Sequence, residues 1–136
     1  MADNKKELKR EYKENQRPMG VYQIRNMVNG KVLIGSSPDL PGIFNRHKIA
    51  LSAGLHDNKQ LQADWHEYSA EQFAFETLDE LSATEGPAHN YRDDLTFLED
   101  LWLEKLEPYG PRGYNQRKKS REEKLKQITQ NRLGSM

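Results

Sequence analysis

The stretch that decides the fold is GVYQIRNMVNGKVLIGSS, residues 20–37. Two short runs of apolar and β-branched residues, 20–25 and 31–36, lie on either side of a turn that contains the dipeptide Asn29-Gly30. Asn and Gly tolerate positive φ, which is the backbone conformation that tight hairpin turns require. The pattern therefore predicts a β-hairpin.

Two helices and a further strand are predicted after the hairpin. Asp39 is suited to cap a helix that Gly54 ends. A second helix is expected over residues 58–68, where apolar residues recur at helical spacing. The run FAFETL, residues 73–78, alternates as a strand does.

The last predicted helix is LTFLEDLWLEKL, residues 95–106, which follows a long acidic connector at 79–94. Its apolar residues surround too many sides for an exposed helix, so we expect it to be the central helix. The element order ββααβα predicts an α/β (α+β) layer structure with a small, mainly antiparallel sheet.

The length and composition indicate one domain. With 136 residues, of which 35% are hydrophobic, the chain can fill one modest core. We expect a polar N-terminal helix at 1–17 that Pro18 ends, the domain itself at 18–115, and a charged extension at 116–136.

The absence of cysteine removes disulfides, thiol nucleophiles and Cys-based zinc sites, and it suits a reducing, cytoplasmic compartment. The start of the chain lacks the apolar region of a signal peptide, and no segment approaches the ~20 apolar residues of a membrane span. We therefore expect a soluble protein that is not inserted in a membrane.

A formal net charge of zero conceals an uneven distribution of charge. Residues 57–115 carry fourteen acidic and four basic side chains, whereas the segments before and after them have a basic excess. This layout argues against broad electrostatic wrapping of nucleic acid. Any nucleic-acid footprint is expected at the first helix of the domain and at the termini.

Tyr22 and His47 are the first pair that suggests chemistry. A neutral imidazole on the helix after the hairpin could take the proton of the phenol and leave Tyr22 to activate water or to attack phosphorus. The alternatives are a packed tyrosine ring and a histidine at the edge of the core.

Glu99 is the second candidate, because helical spacing places its carboxylate in an apolar stripe with Leu95, Trp102 and Leu106. A buried carboxylate needs a hydrogen-bond partner, a raised pKa or a metal ion. One carboxylate with water and phosphate oxygens is a common way to hold Mg²⁺. The alternative is an edge position that faces solvent. His56, His66 and His89 have no spacing that would gather a metal.

In these segments the chain resembles the GIY-YIG nuclease superfamily. The two motif triplets correspond to Gly20-Val21-Tyr22 and Leu33-Ile34-Gly35. After them come, in the order that the family has, the segments GSSPDL, NRHKIALSAGLHDNKQLQADWHEY, FAFETL, EDLW and GYN. The resemblance runs from residue 20 to residue 115 and implies a three-stranded antiparallel sheet flanked by helices.

The resemblance also implies a function, which is hydrolysis of a phosphodiester by water with one divalent ion, Mg²⁺ or Mn²⁺. Carried over to this chain, Tyr22 is the general base or the residue that positions water, and His47 occupies a common basic or phenolic position. Glu99 is the metal-binding glutamate, and Asn115 is the asparagine of GYN.

Two positions depart from the family pattern. The tyrosine of the second triplet is Leu33 here, and the arginine of the first helix falls on Ile43. Losing a cation that stabilises charge on the phosphate typically costs ~10²-fold or more in rate. Arg46, three residues on and on roughly the same helical face, is the candidate replacement.

The sequence therefore predicts a metal-dependent endonuclease of impaired activity, with nucleic acid as partner and DNA favoured over RNA. The alternative is a catalytically inactive module that binds nucleic acid or a protein partner. No zinc finger or helix-turn-helix reader is evident, so the target sequence is not readable, and neither is the oligomeric state.

Overall fold

The computed structural model describes residues 6–11, 16–117, 126 and 128–130. Its element order confirms the predicted ββααβα arrangement and the α+β fold class. The elements are β1 (Met19–Asn26), β2 (Val32–Ser37), α1 (Leu40–Ala53), α2 (Lys59–Tyr68), β3 (Phe73–Leu81) and α3 (Tyr91–Leu106).

The three strands form one antiparallel sheet in the order β2-β1-β3. Gly30 adopts φ 78° in the turn between β1 and β2, as the hairpin prediction required. In the central strand, Tyr22 lies opposite Gly35 of β2 and Thr77 of β3. At Tyr22, the central strand is therefore paired with a neighbouring strand on each side.

The helices cover both faces of the sheet. Ile24 of β1 packs with Leu51 of α1 and Leu61 of α2 on one face. Val21, whose side chain points to the opposite face, packs with Leu103 of α3. The chain thus forms three layers, with the sheet between the pair α1 and α2 on one side and α3 on the other.

The predicted cap of α1 is present, and α2 has a cap that the sequence analysis did not specify. Asp39 Oδ1 accepts a hydrogen bond from the amide of Gly42 at 3.1 Å, and Gly54 ends α1 in the left-handed conformation at φ 75°. Asn58 Oδ1 accepts from the amide of Leu61 at 3.0 Å and starts α2. These caps fix both ends of the short loop between the two helices.

The acidic connector is shorter than predicted. β3 continues to Leu81, where the indole of Trp102 supports it by donating to Asp79 Oδ2 at 3.1 Å. α3 begins at Tyr91 because the Asn90 side chain accepts from the amide of Asp93 and caps it. The connector therefore spans 82–90.

The prediction that the last helix is the central helix was wrong, because one side of it is exposed. Leu95 and Leu103 of α3 are buried against the rest of the domain. Phe97 and Leu101, on its other side, are 67% and 47% exposed. The reason is that the sheet covers only one face of α3.

The predicted N-terminal helix and charged extension lie largely outside the described residues. Residues 6–11 are helical, and Lys9 Nζ lies 3.7 Å from Glu85 Oε2 in the connector. Residues 126 and 128–130 are also helical. Within the described part of the chain, no helix combines the length and apolar character needed to cross a bilayer.

Candidate active site

Tyr22 lies at the centre of the sheet, and its phenol crosses over the neighbouring strand β2. The ring is buried, and a Cβ added to Gly35 would lie 2.5 Å from Tyr22 Oη. Only glycine leaves room for the hydroxyl at this point. The glycine of the second triplet is therefore explained by the tyrosine of the first.

The Tyr22 hydroxyl begins a chain of hydrogen bonds through two histidines. Tyr22 Oη lies 2.8 Å from His47 Nε2 on α1, and His47 Nδ1 lies 2.8 Å from His56 Nε2 in the loop after α1. The two imidazole rings are stacked, with centroids 5.0 Å apart. The chain ends at the amide of Asn58, which donates to His56 Nδ1 at 3.0 Å.

The hydrogen bond from the Asn58 amide determines which atom donates at each step from His56 to Tyr22. Because His56 Nδ1 accepts from a backbone amide, the single proton of a neutral His56 is on Nε2 and is donated to His47 Nδ1. The proton of a neutral His47 is then on Nε2 and is donated to Tyr22 Oη. The direction is opposite to our expectation, since His47 donates to the phenol and cannot take its proton.

Both histidines are held neutral. Burial, followed by the neighbouring His56 and the positive charge of Arg46, lowers the pKa of His47 to about 4. Burial also lowers the pKa of His56, despite the neighbouring carboxylate of Asp57. The assignment of one proton to each ring therefore holds at neutral pH.

The phenol of Tyr22 is also held neutral. Burial and, to a lesser extent, the negative charge of Glu99 together raise the pKa of Tyr22 to about 12. Since Tyr22 Oη accepts from His47, its own proton is available to a different acceptor. The geometry therefore suits a residue that orients water or phosphate better than one that removes a proton at neutral pH.

His56 is the site residue that sequence reasoning missed. Its loop is held by Gln62 of α2, whose Oε1 accepts from the His56 amide at 3.0 Å and whose Nε2 donates to Leu51 O at 2.9 Å. His56 follows Leu55 in a loop of few residues, so only the packing of α1 on α2 brings it to His47. A search for metal-ligand spacing cannot find such a histidine.

Glu99 approaches β2 from the α3 side. Its Oε1 accepts a hydrogen bond from Ser36 Oγ at 3.3 Å, next to the Gly35 over which the phenol lies. The carboxylate is half-buried, between the two alternatives that the sequence left open. Among the described residues no group of three or more His, Cys, Asp or Glu could hold a metal ion.

The structure places Arg46 near the phenol but does not bring it into the hydrogen-bond chain. Arg46 is exposed and lines the same cavity as Tyr22 and His47. In the described part of the chain, no carboxylate forms a salt bridge with it. Leu33 and Ile43 are partly buried and pack against the core cluster that contains Tyr22.

Asn115 lies at the outer edge of the sheet, beside β2. Its Oδ1 accepts from the amide of Ile34 and its Nδ2 donates to Ile34 O, both at 2.8 Å. The preceding Tyr114 donates its amide to Val32 O at 2.9 Å and is itself held by Asn58 Nδ2, which donates to Tyr114 O at 2.7 Å. Asn115 is a positioning residue that clamps the strand of the second triplet.

No family model matches the chain. A relative, intron-associated endonuclease 1 of Enterobacteria phage T4, is 31% identical over 88 residues, which are 64% of this chain and 32% of the relative. The chain therefore matches about a third of that protein's length.

Two solved structures are similar to the chain. The catalytic domain of homing endonuclease I-TevI is 29% identical, with a TM-score of 0.61 over 74% of this chain and 99% of that domain. A glutamate-to-alanine mutant of the same domain is 27% identical, also with a TM-score of 0.61, over 76% of this chain and 97% of the other.

The chain is an α+β domain with a three-stranded antiparallel sheet, and its fold matches that of the homing-endonuclease catalytic domain. These similarities support the resemblance to the GIY-YIG nuclease superfamily.

Proposed function

We propose that the chain is a divalent-metal-dependent endonuclease that hydrolyses phosphodiester bonds in DNA slowly. The observation that carries this proposal is the directed chain from the Asn58 amide through His56 and His47 to Tyr22 Oη. It leaves one polarised phenol proton to donate at the surface of the sheet. Support for DNA as the substrate comes from the similarity to homing endonucleases.

In this proposal Tyr22 orients the attacking water or a phosphate oxygen through its own O–H. The proton that His47 donates to Tyr22 Oη stabilises negative charge that develops on the phenol oxygen. His56 keeps His47 in the tautomer that can make this donation. Arg46 contacts the phosphate from the wall of the shared cavity.

Glu99 and Ser36 are the residues that would hold a divalent ion. One carboxylate and one hydroxyl fit an ion of the magnesium type, which keeps several waters and binds substrate phosphates. They do not fit zinc, which needs at least three protein ligands of the His, Cys or carboxylate kind. When bound, Mg²⁺ or Mn²⁺ supplies positive charge to the phosphate oxygens and lowers the pKa of water.

The low rate follows from Leu33 and Ile43. Neither side chain can hydrogen-bond water or neutralise charge on a phosphate. Removing one group that stabilises transition-state charge typically costs ~10²–10³-fold. Arg46 offsets this loss in part, because it is exposed in the same cavity as Tyr22.

The experiment is cleavage of supercoiled plasmid by the purified protein in Mg²⁺ and then in Mn²⁺, compared with Glu99→Gln. Asp100→Asn is the matched control, since it removes an adjacent carboxylate on the exposed side of α3. We expect nicking by the native chain and by Asp100→Asn, and none by Glu99→Gln. Equal nicking by all three proteins, or nicking by none of them while they are folded, would overturn the proposal.

A second candidate is a domain that binds nucleic acid or protein without cutting. The packing of Leu33 and Ile43 against the core favours it, because neither side chain contributes a polar group to the site. Salt-dependent DNA binding by the native protein, together with complete absence of cleavage, would favour this candidate.

A further inference from the structure

A cavity of about 450 Å³ lies beside Tyr22 on the α1 side of the sheet, within the range of small-molecule pockets, which is ~300–1,000 Å³. Part of its wall consists of residues already placed in the site. The remainder includes the apolar side chains of Ile43, Ala50 and Leu55. Leu55 is 77% exposed, although it is next to buried His56. An apolar surface thus faces the position where the phosphodiester would lie.

The wall of this cavity also carries two charged residues of opposite sign. Arg46 is on α1, and Asp57 is the single carboxylate among the lining residues of this cavity. An arginine binds phosphate oxygens, whereas a carboxylate accepts hydrogen bonds from the amino groups of bases. The cavity therefore combines a phosphate-binding group, an apolar surface and an acceptor for a base.

We propose that this cavity binds an unpaired nucleotide of DNA next to the bond that is cleaved. The inference rests on the proposed function and specifies its substrate. The base packs against Ile43, Ala50 and Leu55, and its phosphate contacts Arg46.

An unpaired nucleotide fits better than a regular duplex for two reasons. The faces of paired bases are covered by their neighbours in the stack, so an apolar side chain reaches them only when the nucleotide is extruded or single-stranded. In addition, tight binding of a regular duplex depends on many phosphate contacts from Lys and Arg. Residues 57–115 carry fourteen acidic and only four basic side chains.

The test is fluorescence anisotropy with labelled DNA in EDTA, where binding is measured without cleavage. One probe is a duplex with a single unpaired nucleotide, and the other is the fully paired duplex of the same sequence. We expect the native protein to bind the first probe about 10-fold more tightly, because the unstacked base buries apolar surface against the wall of the cavity.

Leu55→Ser is the informative variant, and Ile49→Ser is its matched control. Ile49 is an exposed aliphatic residue of α1, at 61%, but it does not line the cavity. We expect Leu55→Ser to lose about 5-fold in affinity for the unpaired probe, as expected when part of that contact is removed. Its affinity for the paired duplex, and both affinities of Ile49→Ser, should stay unchanged.

Equal affinity of the native protein for the two probes would overturn this inference, as would equal losses in Leu55→Ser and Ile49→Ser. Failure of the proposed function is a separate result, because it appears as absent plasmid cleavage with the preference for the unpaired probe intact. Cleavage that depends on Glu99 but shows no such preference contradicts the cavity assignment alone.

Discussion

The candidate site has two sides that differ in chemistry. On the first side, Tyr22, His47 and His56 form a hydrogen-bond chain in which every donor and acceptor is assigned. On the second side, Leu33 and Ile43 occupy positions where related nucleases are expected to have tyrosine and arginine, and both pack against the core. The first side presents polar groups in a hydrogen-bond chain, and the second presents apolar side chains.

The two sides differ in how much a substitution would cost the stability of the fold. Within the described residues, no buried side-chain nitrogen or oxygen lacks a hydrogen-bond partner. Cutting the histidine chain would create such an atom, at a cost of ~1–3 kcal/mol. An apolar residue at position 33 or 43 instead extends the core. The fold therefore tolerates apolar residues on the second side more readily than loss of the first side, and we propose that their effect falls on the rate of cleavage.

The largest effect is expected from Tyr22→Phe, which removes the hydroxyl and leaves the His47 Nε2 proton without its acceptor. We expect single-turnover cleavage of DNA to fall by ~10²–10³-fold, the usual loss when one hydrogen-bond donor that acts in the transition state is removed. Tyr109→Phe, in a different cavity, is the control and should cleave normally. A Tyr22→Phe protein that cleaves at the native rate would remove the first side from the mechanism.

A rate increase of ~10²-fold is expected from Ile43→Arg, which returns a cation to the second side. Ile43 lines the cavity beside Tyr22, so a guanidinium there can reach a bound phosphate. The same single-turnover assay on Ile49→Arg, with equal charge on the exposed side of α1, measures any general gain in DNA attraction. Equal stimulation by both variants would mean that the missing charge is not what limits the rate.

Asn115→Ala tests whether the strand of the second triplet depends on its clamp. The change removes both hydrogen bonds to Ile34 at the edge of β2, and we expect the free energy of unfolding to fall by about 2 kcal/mol. Urea denaturation measures the loss, and Asn45→Ala on the exposed side of α1 should change stability little. A native unfolding midpoint for Asn115→Ala would contradict the assigned role.

His56→Ala should reduce cleavage by about 10-fold, since a partner that orients a site residue is typically worth ~10–100-fold. The alanine removes the donor that fixes the tautomer of His47. His56→Gln, which keeps an N–H donor, should recover part of the rate. A loss of equal size in both variants, with unchanged stability, would argue against a role through His47.

The last prediction concerns the pH dependence of stability. The pKa of His47 is about 4 in the folded chain, against an ordinary value of 6.5, so the unfolded chain binds more protons between these values. Stability should therefore rise with pH through this window and decline as the pH falls from 6.5 to about 4. The pH dependence of the melting temperature should flatten in His47→Gln but not in His89→Gln, whose imidazole is at the surface beside Asp94. Parallel melting curves for all three proteins would contradict the neutral assignment of His47.

Local signals in the sequence were sufficient for most of the fold. The Asn29-Gly30 turn, the Asp39 cap and the Gly54 stop each act within a few residues, and all are present. The exposed face of α3 was not predictable, because Phe97 and Leu101 have the same apolar character as the buried Leu95 and Leu103. Which of these residues is buried depends on tertiary packing, because the sheet lies against only one face of α3.

The candidate site was predictable in part. Spacing and resemblance pointed to Tyr22, His47 and Glu99. The direction of the Tyr22 hydrogen bond depends on a backbone amide at Asn58, and His56 depends on how α1 packs against α2. Neither the direction of this hydrogen bond nor the placement of His56 follows from a motif of residue types at fixed spacing.

The most direct test of the account is a double-mutant cycle of cleavage rate with Tyr22→Phe and Ile43→Arg. If the first side performs the chemistry and the second side limits it, Ile43→Arg accelerates cleavage about 10²-fold in the native background and hardly at all when Tyr22 is phenylalanine. Acceleration of equal size in both backgrounds, or none in either, would contradict the division of the site into a working side and a limiting side.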